Sequence, residues 1–231
     1  MDTEHLTAEL LCKYFDHTLL KPFATEEDFK KLCQEAAHYH FAMVAINSAP
    51  VSCCKSLLKG TDVHVGAAIS FPLGQTSIET KVFETKDAID HGADEIDYVI
   101  HIGKLKEGKL DYIQDEMERI VSTCRQYHVI SKVIFENCYL TKEEITALAK
   151  ISRTVLPDYI KTSTGFGPSG AIVEDVERMK QIVGNDVKVK AAGGIRTWES
   201  CKMMIHAGAD RIGTSSSIKI LEEFLSSHQS M

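Results

Sequence analysis

The sequence predicts an α/β fold: one (β/α)8 barrel, the TIM-barrel architecture, with a short extra helix at the N-terminal side. Three observations predict it. Eight runs rich in β-branched residues alternate with longer amphipathic runs, which points to a parallel sheet. The ends of those runs carry polar and ionisable residues that packing does not need. Loops rich in glycine and serine follow the seventh and eighth runs. A chain of 231 residues suits the ~250 that such a barrel typically needs. A doubly wound open sheet is the rival, and it usually carries G-x-G-x-x-G after its first strand. Here that position reads Asp16-His-Thr-Leu-Leu-Lys-Pro22, so the barrel is preferred.

The elements follow in order. A short helix is expected around 7–14, then strands near 15–20, 41–47, 63–70, 95–102, 130–138, 159–163, 187–193 and 211–216. Between the first two strands, Phe29, Leu32, Cys33, Ala36 and Ala37 form an apolar stripe opened by Thr25 as N-cap. Leu110, Ile113, Met117, Ile120, Val121 and Cys124 form another stripe, with charges opposite. Thr141-Lys-Glu-Glu144 reads as a capping box. No Pro/Gly/Ser linker or composition break interrupts the series, so residues 1–231 are expected to form one domain.

Composition narrows the function classes. With 44% hydrophobic and 26% charged residues the chain is an ordinary globular protein. A formal net charge of −7 argues against nucleic acid or an anionic membrane surface as partner, while backbone amides can still hold a phosphate. No apolar stretch approaches the roughly 20 residues of a membrane span. The start, Met1-Asp-Thr-Glu-His5, is acidic and lacks a signal-peptide pattern, and the seven cysteines show no Cys-x-x-Cys. Reduced thiols in a cytoplasmic protein are expected.

In a barrel the active site lies at the strand C-termini. Those ends supply Asp16 and Thr18, Asn47, Ser70, Asp97 and His101, Glu136, Lys161 with Ser163, Lys190, and Ser215. Strand alternation puts Ile160 on one side and Lys161 on the other, and separates Val187 and Val189 from Lys190. Ile96, Tyr98 and Ile100 suit a surface under helices, so Asp97, Val99 and His101 point into the barrel. A lysine on an inner face is costly to keep charged. Free lysine, with a pKa of about 10.4, is neutral in roughly one molecule in 2,500 at pH 7. A second ammonium ~4 Å away costs about 4 kcal/mol at an effective dielectric of ~20, or roughly three pKa units. Lys161 and Lys190 on neighbouring strands therefore suggest an amine tuned for Schiff-base chemistry, with Asp97 retaining the pair and shuttling protons. Structural pairing of Asp97 with one lysine is the blander alternative.

Gly193-Gly194 and Gly213-Thr-Ser-Ser-Ser217, the latter opening the last helix, sit where barrel enzymes hold phosphate. Each loop alone is weak, because glycine and serine are common in turns. Arg196 either supports the phosphate or pairs on the surface. His38-Tyr39-His40 lies at a helix end, on the face opposite the site, and is not read as a metal pair. His101 is an inner-face polar residue near the site or a hydrogen-bonded core histidine. Cys138 is read as structural.

These segments resemble the 2-deoxyribose-5-phosphate aldolases through nearly the whole chain. The resemblance rests on Asp16-His-Thr-Leu-Leu-Lys21, Phe71-Pro-Leu-Gly74, Gly92-Ala-Asp-Glu-Ile-Asp97, Lys161-Thr-Ser-Thr-Gly-Phe166, Lys190-Ala-Ala-Gly-Gly-Ile-Arg-Thr197 and Arg211-Ile-Gly-Thr-Ser-Ser216. It implies that Lys161 is the Schiff-base lysine and that Lys190 and Asp97 relay protons. It implies that Asp16, Thr18 and Thr164 contact the sugar, and that Gly165, Gly193, Gly194, Ser215 and Ser216 hold the phosphate. No metal or other cofactor is implied, since an iminium does the work of a zinc ion. The implied partner is a sugar phosphate in deoxynucleoside catabolism, and exposed helix faces suggest a homodimer or higher homo-oligomer.

The chain departs from the family pattern at Ala45, where many members carry cysteine, and at Ser70, where glycine is usual. It also departs at His101, a common Asn, and at Asn137, a usual Thr. His101 is the change expected to alter substrate fit most. The chain ends Ser226-Ser-His-Gln-Ser-Met231 where some members end in a tyrosine, so tail-assisted proton transfer is not expected. Rival readings are an aldolase for another sugar phosphate, a sugar-phosphate-binding barrel without catalysis, and an isomerase with Glu136 as base. The last two leave the lysine pair without a task.

Overall fold

A computed structural model describes residues 5–228. Residues 1–4 of the acidic start and 229–231 of the tail, on which two expectations fall, lie outside the described residues. Eight parallel strands close into a barrel in chain order. They are β1 (Phe15–Thr18), β2 (Met43–Asn47), β3 (His64–Ile69), β4 (Glu95–Val99), β5 (Ile130–Ile134), β6 (Tyr159–Lys161), β7 (Lys188–Ala192) and β8 (Arg211–Thr214). The helices are α1 (Ala8–Cys12), α2 (Glu26–Tyr39), α3 (Val51–Leu57), α4 (Ile78–Asp90), α5 (Ile102–Lys106), α6 (Leu110–Gln126), α7 (Lys142–Val155), α8 (Val173–Val183), α9 (Trp198–His206) and α10 (Ser217–His228). Among the described residues no helix is long and apolar enough to cross a membrane.

Local signals set the helix starts. Thr25 and Thr141 each close a capping box, with Asp28 and Glu144 respectively, as the sequence predicts for Thr141 and in part for Thr25. The strands stop earlier than the β-branched runs do. The run at 95–102 ends at Val99 because His101 caps α5, and the run at 130–138 ends at Ile134 because Glu136 takes a left-handed φ of 58°. The polar residues past these points belong to loops, which leaves the strand C-termini open.

The molecule has two interiors. Outward-facing Ile96, Tyr98, Val133, Phe135, Ile160, Val189 and Ile212 join the helix stripes in one apolar shell, in which Ile113, Met117 and Ile120 are wholly buried. Inside the barrel, buried Lys132, Lys161 and Lys190 meet buried Asp16, Glu95 and Asp97. A Cβ on Gly66 would lie 2.2 Å from Met43 Sδ, so the end of that side chain would have to move. A separate ion pair is sealed under the helices. Lys81 of α4 donates to Glu116 of α6 at 2.6 Å and to the Val99 carbonyl at 2.6 Å, and Glu116 accepts from the His101 N–H at 3.0 Å.

Candidate active site

Strand register brings the charges together. Lys161 and Lys190 are direct partners across β6 and β7, Asp97 pairs with Lys132 across β4 and β5, and Lys190 pairs with Arg211 across β7 and β8. Asp97 is the hub: its Oδ2 accepts from Lys161 at 2.8 Å and from Lys190 at 2.7 Å, and its Oδ1 accepts from Lys132 at 2.7 Å. It therefore bridges both predicted lysines instead of pairing with one. Lys132 is also ion-paired to Glu95. Lys190 lies 2.5 Å from Asp16 Oδ2, an ion pair without the geometry of a directed hydrogen bond. Arg211 donates to Asp16 Oδ1 and reaches Glu95 at 3.4 Å, and His64 meets Glu95 from the other end at 2.8 Å.

The electrostatics single out one amine. Burial lowers the Lys161 ammonium, Asp97 opposes, and Lys190 and then Lys132 add to the lowering, leaving it at about 8 against the ordinary 10.5. Burial works to raise the Asp97 carboxyl, but Lys132, Lys161 and Lys190 overcome it and hold it well below the usual range. Burial also works against the Lys132 ammonium, yet Asp97, Glu95 and Asp16 outweigh it and hold this lysine above its ordinary value. Lys161 is thus the least basic amine of the cluster, while Lys132 is held as a cation.

Above this cluster a cavity of about 510 Å³ opens among the strand ends. Lys161 reaches it, and so do Thr18, Thr164, Gly165, Gly193, Gly194 and Ser215. Lys190, Asp97 and Asp16 are buried and are not part of its lining, Asp16 having both oxygens engaged by Lys190 and Arg211. Ser216 is also outside the lining, and its N–H is donated to Thr214 Oγ1 at 2.9 Å. Thr164 is tied to Glu136 twice: its N–H donates to Oε1 at 3.1 Å and its hydroxyl bonds to Oε2. Gly194 at φ +77° and Gly193 at φ +86° need the left-handed region, and a Cβ on Gly193 would lie 2.9 Å from Gly170 Cα. Arg196 lines the cavity, is exposed, and has no ion-pair partner among the described residues.

Two expectations are corrected. His101 does not point into the barrel. It caps α5 by accepting from the Lys104 N–H at 3.3 Å, and its ring stands edge-on to Tyr112 at 5.8 Å, on the helix side. The strand has ended before it, so alternation no longer applies. Ser70 does not reach the cavity either: at φ 50° its N–H donates to Glu84 at 2.8 Å and its hydroxyl meets Thr76 at 2.7 Å. His40 pairs with Asp62 at 2.9 Å ahead of β2, away from the site. The Cys138 thiol faces Glu136 at 3.7 Å, and burial and Glu136 push it up.

The sequence reading missed four contributors. Glu95 sits two residues before Asp97, and alternation places both on one face. Lys132 is a lone charge amid Ile130-Ser-Lys-Val-Ile134, and Arg211 opens its strand two residues before Gly213. His17 lines the cavity wall, where its ring nitrogens meet Glu35 at 3.0 Å and Ser217, the first residue of α10, at 3.1 Å. Burial lowers the His17 imidazolium against the pull of Glu35.

An amine of lowered basicity beneath an open cavity is suited to capturing a carbonyl carbon, and a carboxylate shared with two further lysines is suited to moving protons beside it, an arrangement that fits a barrel enzyme making or breaking carbon–carbon bonds. The family profile of the DeoC/LacD family aldolases matches residues 10–221, and the chain belongs to this family. It is 59% identical over 216 residues to the deoxyribose-phosphate aldolase of Lactobacillus acidophilus, covering 94% of this chain and 91% of that one. It is 52% identical over 220 residues to the deoxyribose-phosphate aldolase of Bacteroides thetaiotaomicron, covering 95% and 92%. The tetrameric deoxyribose phosphate aldolase structure from Aeropyrum pernix superposes with a TM-score of 0.90 at 34% identity, covering 97% and 95%.

Proposed function

We propose that this aldolase cleaves 2-deoxy-D-ribose 5-phosphate reversibly to D-glyceraldehyde 3-phosphate and acetaldehyde through a Schiff base on Lys161. The observation that carries the mechanism is Asp97 Oδ2 held by both Lys161 and Lys190 beneath the cavity. The substrate follows from the names of relatives that match more than nine-tenths of the chain.

Neutral Lys161 Nζ attacks the aldehyde carbon of the open-chain sugar, and loss of water leaves an iminium. The Asp97/Lys190 pair takes the proton of the 3-hydroxyl through a water. A carboxylate held so acidic does not keep that proton, so Asp97, held in place by Lys190, acts as a relay that returns it to C2 of the enamine. The C2–C3 bond breaks, its electron pair flows into the iminium, and glyceraldehyde 3-phosphate leaves. The enamine on Lys161 is protonated at C2 and hydrolysed to acetaldehyde, which restores the amine. Thr18 and Thr164 contact the sugar chain, with Asp16 fixing Lys190 from below. Gly165, Gly193, Gly194 and Ser215 hold the phosphate, Ser216 helps to form the turn, and Arg196 supplies charge at the rim. We extend the reading to a cytoplasmic enzyme whose residues 1–231 form one domain and which pairs into a homodimer or larger assembly. Exposed Phe83 and Leu73 offer apolar surface for that assembly. His101 and Ser70, the departures that favoured another sugar phosphate, lie away from the cavity and give that reading no support.

The test is borohydride trapping with deoxyribose 5-phosphate, followed by peptide mass mapping, on wild type and Lys161→Arg. A reduced adduct on Lys161, absent in the variant, is expected. Absence of an adduct on any lysine of the folded protein would overturn the proposal.

A further inference from the structure

Glu95, Lys132 and Arg211 are charged residues of the barrel interior that take no part in the steps above. Of the three, Lys132 is the one bonded to Asp97, through Oδ1 at 2.7 Å, and it is wholly buried. Counting formal charges around it makes its place clear. Three carboxylates, Asp16, Glu95 and Asp97, face four basic side chains, Lys132, Lys161, Lys190 and Arg211. Lys132, Lys190 and Arg211 alone balance the carboxylates, so a proton on Lys161 is the uncompensated charge of the enclosure.

We propose that Lys132 is a positioning residue for the aldol reaction: by occupying Asp97 Oδ1 and Glu95 it supplies the third fixed cation, which leaves Lys161 as the surplus base, free to stand as a neutral amine. The inference rests on Lys161 being the imine-forming residue. An unpaired buried charge is expensive, and the group closest to neutrality gives up its proton first. Lys161, at about 8, is that group. Lys190 lies nearer to Lys161 in register, but Lys190 is itself held by both Asp16 and Asp97. Without Lys132, Asp97 would have an oxygen to spare, and the proton needed to balance it would stay on Lys161.

The titratable groups that face Lys132 come from six strands. They are Asp16 of β1, His64 of β3 through Glu95, Glu95 and Asp97 of β4, Tyr159 and Lys161 of β6, Lys190 of β7 and Arg211 of β8. β2 contributes the uncharged Met43 Sδ at 3.4 Å. His64 is half exposed, so solvent screens its charge.

The experiment is the pH profile of kcat/KM for deoxyribose 5-phosphate, together with the pH dependence of borohydride capture on Lys161. Lys132→Met leaves three cations against three carboxylates. Its acid limb should move up by about one to two pH units, with a loss of about ten- to a hundredfold at pH 7 that is recovered at high pH. Glu95→Gln removes a negative charge and should move the limb down. The double variant restores the surplus and should return the limb to the wild-type position, as should Lys132→Arg. A purely structural role lowers stability and rate at every pH and cannot produce shifts of opposite sign. An unshifted limb in Lys132→Met, or shifts of the same sign in Lys132→Met and Glu95→Gln, would overturn the proposal. If Lys132→Met does not fold, Glu95→Gln decides alone: a downward shift supports the proposal and an unmoved limb overturns it. Failure of wild type to trap at Lys161 would instead remove the imine reading itself.

Discussion

Strand β4 separates two buried lysine–carboxylate groups whose fates differ. On the helix side, Lys81 and Glu116 are matched one to one, wholly buried, and occupied by the Val99 carbonyl and the His101 N–H. Burial pushes Glu116 up and Lys81 down, each partner opposing the drift of the other. On the inner side, four basic groups share three carboxylates, and Lys161 reaches a cavity. Burial alone thus makes neither cluster reactive. An uneven count and an open path to substrate separate the chemical cluster from the structural one, while the matched pair ties α4 and α6 to the end of the strand that carries Asp97.

The contrast is sharpened first at the sealed pair. Lys81→Met leaves Glu116 buried and alone, and should lower unfolding free energy by about 3–5 kcal/mol in denaturant titration. Adding Glu116→Gln, which keeps an acceptor for the His101 N–H, should recover most of that loss. The acid limb of the activity profile should stay in place in both variants, and a shifted limb would break the division between the two clusters. On the inner side Lys190→Met should instead spare stability relative to Lys81→Met and reduce kcat/KM about 10²- to 10³-fold, because Asp97 loses the cation that positions it for the proton relay. Its acid limb should rise, since a cation beside Lys161 is gone. The smallest effect belongs to the cavity rim. Thr164→Val removes the hydroxyl bound to Glu136 but keeps the N–H tie, and should raise KM about tenfold with kcat little changed.

Much of this was legible in the residues. The eightfold alternation gave the barrel, and the Lys161 and Lys190 strands proved to be neighbours in direct register. Asp97 was placed with the lysines from alternation alone. What stayed hidden depended on barrel closure. Lys132 and Glu95 are ordinary strand charges until the strands β4 and β5 come into register, and Arg211 meets Asp16 only because β8 closes on β1. His101 lies past the end of β4, where strand alternation no longer holds and a helix cap takes over. Ser70 follows the end of β3, and its left-handed backbone turns it towards Glu84 and Thr76 instead of the cavity. The sealed Lys81–Glu116 pair gave no signal, because each residue sits on an amphipathic helix where surface charges are expected.

The central claim, that the interior cluster keeps Lys161 close to neutrality, is tested most directly by the rate of imine formation on this lysine. Wild-type protein would be mixed with acetaldehyde between pH 6 and 11, quenched with borohydride at short times, and mapped for the reduced Lys161 peptide. The amine reacts only when neutral, so capture should fall about tenfold per pH unit on the acid side and reach half its plateau near pH 8. A midpoint near 10.5, the ordinary lysine value, would contradict the account.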